Sequence, residues 1–171
     1  MNITRSNTIA LSMVTCLAML LSGCRSADIT AMESARSQFG RGARLGAPLE
    51  TRGPRGRIDS VQPAYGASGQ SGYVATVWCK SRSCMFPVRV IMDSDYRVLS
   101  ASVLHYSATR GGDVRSQRFT RQFTGKGPGA PVRIGKDIDA VSGATSSSSA
   151  MAGGVRRAIR AAGKCGSEAG Q

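Results

Sequence analysis

The chain reads as an α+β protein, a small antiparallel sheet of hairpins with two packed helices. Three observations predict this class. Residues 72–79 (GYVATVWC) and 86–92 (FPVRVIM) are β-branched and aromatic, as strands are. Phe119 and Phe123 stand four apart, on one side of a helix. In residues 147–162, Met151, Val155, Ala158, Ile159 and Ala162 recur at helical spacing.

Taken in order, residues 72–79 form the first strand of the core domain, and 86–92 the second, with Pro87 near its start, where proline is tolerated. Cys79 and Cys84 flank the connector Lys80-Ser81-Arg82-Ser83. A disulfide between them and two unpaired thiols both remain open, because loop length does not fix the Cβ geometry a bridge needs. Residues 93–96 make a turn, and 97–106 the third strand. Residues 115–124 come next as a helix, stopped by the Gly- and Pro-rich stretch 125–131. That stretch is no phosphate-binding P-loop: Thr120 stands where the first glycine belongs, and no Ser or Thr follows Lys126. Residues 132–135 are a short strand candidate. The last helix carries Arg156, Arg157, Arg160 and Lys164 off its apolar stripe, mostly in its last turns, where cations suit the helix dipole.

Composition bounds the rest. A chain of 171 residues that is 41% hydrophobic is no disordered polymer, and it has room for one domain and extras. Its 23 basic and 10 acidic residues give a net charge of +13, which favours anionic partners without choosing among them. The core domain is expected over residues 72–164. Residues 24–71 read as a flexible Gly/Arg/Pro-rich tether, with 27–38 compatible with a short helix. Residues 165–171 read as a disordered tail, and Cys165 has no assigned role.

The N-terminus bears on location. Arg5 precedes an apolar run at 9–21 that is short for a membrane span, the pattern of a secretory signal peptide. Leu21-Ser22-Gly23-Cys24 then resembles the bacterial lipobox. The resemblance implies that residues 1–23 are removed and that Cys24 carries lipid, anchoring the chain outside the cytoplasm on a bacterial membrane, periplasmic side or cell surface. Nucleic acid, the other partner that the arginines suggest, is not expected there. Cys79, Cys84 and Cys165 remain, an odd count in a compartment that permits disulfides.

The segment Asp139-Ala140-Val141-Ser142-Gly143-Ala144-Thr145 leads into the last helix. Capping explains one hydroxyl at a helix start. It does not explain the order of the whole segment. Gly143 and Ala144 let a bulky group approach the backbone. The free amides and partial positive charge of a helix N-terminus suit a phosphate. The residues therefore favour a phosphorylated ligand.

The same segment resembles the attachment motif of the FMN-binding domain family, which includes the FMN-carrying subunits of sodium-pumping quinone reductases and Rnf-type complexes. The resemblance implies FMN joined through its phosphate to the Thr145 hydroxyl by a Mg²⁺-dependent flavin transferase that consumes FAD. By the same match Asp139 is the acidic motif residue, and Ser142, Gly143 and Ala144 shape the loop. Ala108-Thr109-Arg110-Gly111 is similar to the family's Glu-Thr-x-Gly turn under the flavin, implying contacts from Thr109 and Gly111. Gln122-Phe123-Thr124-Gly125-Lys126 is similar to its Gln-Phe-x-Gly-Lys stretch. The likeness spans residues 72–162, with one departure: Ala108 replaces the glutamate.

Membership of that family would make the chain a lipid-anchored electron carrier rather than a stand-alone enzyme. Its partners would be the flavin transferase and a membrane redox protein. The alternatives are a noncovalent FMN-binding or sensing module and a basic structural lipoprotein without flavin. No general base, nucleophile or metal set is visible, and His105 is the single histidine. His105 is either a flavin contact or a surface residue. Trp78 and Tyr106 either stack on the ring or pack in the core.

Overall fold

The computed structural model describes residues 25–67 and 69–169. The expected signal segment 1–23 and Cys24 lie outside them. The described chain begins with helix α1 (Arg25–Phe39), followed by strands β1 (Arg44–Leu45), β2 (Leu49–Arg52), β3 (Ile58–Gly66), β4 (Gly69–Lys80), β5 (Met85–Asp93) and β6 (Val98–Val103). Helices α2 (Gln117–Thr120) and α3 (Thr145–Ala169) complete it. All six strands form one antiparallel sheet in the order β1-β3-β4-β5-β6, with β2 also paired to β3. The α+β class is as expected.

Alternation along the central strands divides their residues between two cores. Tyr73, Ala75, Val77 and Cys79 of β4, with Phe86, Val88, Val90 and Met92 of β5, pack with Met151, Val155, Ala158 and Ile159 of α3. Val74 and Ala64 point the other way, into a smaller core with Ala31, Ala35 and Phe39 of α1. A sheet covered on both faces leaves its middle strands almost continuously apolar, which is why 72–79 and 86–92 are so plain in the sequence.

One buried residue breaks the apolar pattern. Arg89 of β5 is 1% exposed. Its guanidinium donates to Thr30 Oγ1 at 3.2 Å and Ser34 Oγ at 3.4 Å, both on α1. Its Nε finds no partner among the described residues, and burial lowers its pKa.

The structure corrects several boundaries. Residues 24–71 are not a tether throughout, since β1, β2 and β3 belong to the sheet and α1 covers it. The Gly/Pro/Arg stretch that suggested a spacer is a tight 3-10 turn at Pro54–Gly56, with Arg55 left-handed at φ +53°. Residues 165–169 are no disordered tail, because α3 continues to Ala169 and buries Cys165. The helix expected at 115–124 is shorter: 3-10 turns at Gly112–Arg115 and Arg121–Phe123 flank α2. Phe119 and Phe123 are nevertheless both buried, their rings edge-on at 5.4 Å. Residues 132–135 make only an isolated bridge, Ile134 to Ile138.

Asp59 is the charged tie between sheet and helix. It is 1% exposed, accepts the Trp78 N–H at 2.7 Å and pairs with Arg157 Nε of α3 at 2.9 Å. Arg157 also donates to the Trp78 carbonyl, so both main-chain groups of Trp78 are held. Replacing Asp59 by Ala leaves a half-buried guanidinium and a main-chain N–H unmatched. We expect a loss of about 2–4 kcal/mol, read as a lower urea midpoint at unchanged m-value. Asp59→Asn, which keeps an acceptor, should lose less.

Candidate functional site

The segment 139–145 forms a turn that starts α3. Ala144 N–H donates to the Val141 carbonyl at 2.9 Å, and Gly143 is left-handed at φ +74°. A residue with a Cβ is strained there, which accounts for the glycine. Ser148, fully buried, fastens the turn to the helix. Its Oγ donates to the Ala144 carbonyl at 3.0 Å and accepts the Val141 N–H at 3.3 Å. The first main-chain helical bond is Ser148 N–H to Ala144 C=O, so the amides of Thr145, Ser146 and Ser147 precede it.

Each of the next two serines is also engaged. Ser146 Oγ accepts the Arg82 N–H at 2.8 Å, tying the β4–β5 loop to the helix start. Ser147 Oγ lies 2.8 Å from Tyr106 Oη, and Tyr106 donates its proton to the Arg110 carbonyl at 3.0 Å. With that proton committed, Ser147 is the donor to Tyr106. Gly111, at φ +85°, sits against both groups: a Cβ there would lie 2.6 Å from Tyr106 Oη and 2.8 Å from Ser147 Oγ. The Ala108-Thr109-Arg110-Gly111 turn is therefore pinned to the first turn of α3.

Thr145 differs from these serines. It is exposed, and its hydroxyl has no hydrogen bond among the described residues. The turn that precedes it borders a cleft of about 490 Å³, lined by Ser116, Arg118, Phe119, Gln122, Asp139, Ala140, Val141 and Ser142. Gln122 holds one wall in place: its Oε1 accepts the Asp139 N–H at 2.7 Å and its Nε2 donates to the Asp139 carbonyl at 3.4 Å. The Asp139 side chain stays exposed. The volume falls within the roughly 300–1,000 Å³ of small-molecule sites.

Of the expected site residues, Asp139 and Ser142 line this cleft, Gly143 and Ala144 build its turn, and Thr145 is next in the chain. Gly111 reaches the site through Ser147. Thr109 and His105 are exposed, and neither lines the cleft. Tyr106 packs on Phe86 with ring centroids 5.1 Å apart, and Trp78 lies under the Arg57 guanidinium at 4.4 Å. Sequence reasoning missed the roles of Tyr106, Gln122, Ser147 and Ser148. Gln122 had a signal in its Gln-Phe-x-Gly-Lys stretch; the serines were hidden inside a uniform run.

The disulfide left open by the loop length is not formed. Cys79 is opposite Phe86 in the β4–β5 ladder, while Cys84 faces Ser81, whose N–H donates to the Cys84 carbonyl at 2.9 Å. The register staggers the two cysteines, and both are free thiols. Burial pushes the Cys79 thiol from near 9 up to about 12, against a smaller pull from Arg157. At pH 8 an alkylating reagent should label Cys84 and spare Cys79 until the protein unfolds, as mass spectrometry of the digested protein would show. Because the folded thiol resists ionisation, stability should fall as pH rises above 9, where the unfolded thiol ionises freely.

Fold and site together define a small α+β domain that presents an unengaged hydroxyl at a helix start, three residues past the last residue lining a cleft. Residues 85–160 match the FMN-binding domain family, the family that the 139–145 segment resembles, and the match supports FMN as a cofactor. The matched stretch runs from the first residue of β5 into α3 and contains the whole cleft. No curated protein matches the chain.

Proposed function

We propose that the protein is an extracytoplasmic, membrane-tethered electron carrier that holds FMN by a phosphoester to Thr145. The observation that carries this reading is Thr145 itself: exposed, hydroxyl unengaged, first in a 25-residue helix, and followed by three serines that each serve the structure. A phosphate on Thr145 would meet the amides of the helix start and the positive end of its dipole. The cleft residues fit the rest of the cofactor, with Phe119 as an apolar wall and Arg118 and Asp139 as polar rims. When bound, FMN supplies reversible electron transfer, while the chain supplies position and electrostatics.

A covalent link suits a compartment where a lost cofactor is not replaced. The attachment is the work of a Mg²⁺-dependent flavin transferase using FAD, and electrons pass to and from a membrane redox partner. No helix among the described residues is long and apolar enough to cross a membrane, and the tether in this reading is lipid on Cys24.

The test is in-gel flavin fluorescence of the denatured protein after export with an active flavin transferase. Wild type and Ser146→Ala should fluoresce and Thr145→Ala should be dark. A native yellow protein that loses its flavin on denaturation would instead be a noncovalent FMN-binding module. A colourless one, beside a control that the transferase labels, would be a structural lipoprotein.

Ala108 generates a second expectation. It is half-buried against the main core, where the family carries a glutamate. Without that negative charge a reduced, anionic flavin is easier to hold. Ala108→Glu should therefore lower the midpoint in a redox titration. A two-electron couple moves about 30 mV for each ~1.4 kcal/mol, so a shift on the order of tens of mV is expected.

A further inference from the structure

We propose that the outer edge of β6 docks an extended, acidic segment of a partner protein by strand addition. β6 ends the sheet and pairs only with β5. Its first residue is already satisfied on the outer side from within the chain: Val98 N–H donates to the Lys126 carbonyl at 2.8 Å and Gly125 N–H to the Val98 carbonyl at 2.7 Å. Past Val98 this cover stops. Among the described residues no hydrogen bond joins Leu99, Ser100, Ala101 or Ser102 to anything but β5.

That uncovered edge is one wall of a groove of about 720 Å³, faced by Arg115, Gln117, Thr120, Arg121 and Thr124. Proteins usually blunt a free edge with charge or proline. Residues 98–103 (VLSASV) carry neither, and Leu104 just beyond is 43% exposed. Small Ser100, Ala101 and Ser102 permit close main-chain approach. An added strand gains its affinity from main-chain hydrogen bonds and its specificity from alternate side chains.

Charge selects the occupant. Between His105 and Lys126 the chain has Arg110, Arg115, Arg118, Arg121 and Lys126 against Asp113 alone. Arg115 and Arg121, both exposed, stand across the groove from the edge. A segment with carboxylates on alternate residues would reach these guanidiniums while its backbone pairs with β6. A polyanion without a peptide backbone would use the arginines and leave the edge idle.

The experiment titrates the purified protein with a nine-residue peptide alternating Val and Glu, reading affinity and amide hydrogen exchange together. We expect slowed exchange at Leu99–Val103, and at least tenfold weaker binding to Arg115→Glu/Arg121→Glu. Lys136→Glu, an exposed charge change away from the groove, should bind as wild type. A copy of the peptide N-methylated along its backbone should lose binding. Three results would overturn the proposal: no binding of the peptide at millimolar concentration, equal binding of the N-methylated copy, or binding without protection of the β6 amides. The last, if inorganic polyphosphate bound equally well, would make the site a plain polyanion patch. None of these outcomes bears on the flavin at Thr145, so the two readings fail separately.

Discussion

Everything around the site depends on how closely α3 lies over β4. At Gly154 the helix backbone touches the sheet, and any Cβ there would overlap Cys79 Sγ. That contact sets the height of the helix, and the Asp59–Arg157 ion pair fixes it along its axis three residues further on. With the helix held at those points, its first turn falls where Ser147 meets Tyr106 and Ser148 meets the 139–145 turn. The same contact seals the Cys79 thiol away from solvent. A structural glycine inside a helix costs about 1 kcal/mol relative to alanine. Here the cost is offset by a close approach that alanine would prevent.

Legibility in the sequence followed packing density of large side chains. The central strands and the α3 stripe were plain because Val, Ile, Met and Phe crowd them. The second core was not, because it is made of small residues: Ala31, Ala35, Ala43 and Ala64, with Val74 from the visible part of the sheet. Alanines carry little hydrophobic signal, and the arginines and glycines between them looked like linker. The end of α3 was hidden for a related reason. Gly166 looked like tail, yet it is helical and so close to two tyrosines that a Cβ would come within 2.6 Å of Tyr73 Oη.

At the site, local order was readable and long-range contact was not. The run from Asp139 to Thr145 can be recognised residue by residue, because a turn and a helix start are local structures. The Tyr106–Ser147 and Gln122–Asp139 bonds join residues 41 and 17 positions apart. No spacing rule predicts such pairs. Arg89 shows the converse, a charged residue in a strand whose burial depends on hydroxyls from a helix 55 and 59 positions away.

The short α2 segment has a cleft on each side. Arg118, Phe119 and Gln122 face the 139–145 turn; Gln117, Thr120 and Arg121 face the β6 edge. A single turn of helix cannot shift on one side alone, so the two spaces share one partition. Thermodynamic linkage then makes any influence mutual: whatever free energy a ligand at the edge adds to or removes from the cleft, the occupant of the cleft returns to the edge in equal measure. Were each space to take a ligand, the two occupancies would be read through the same turn of helix.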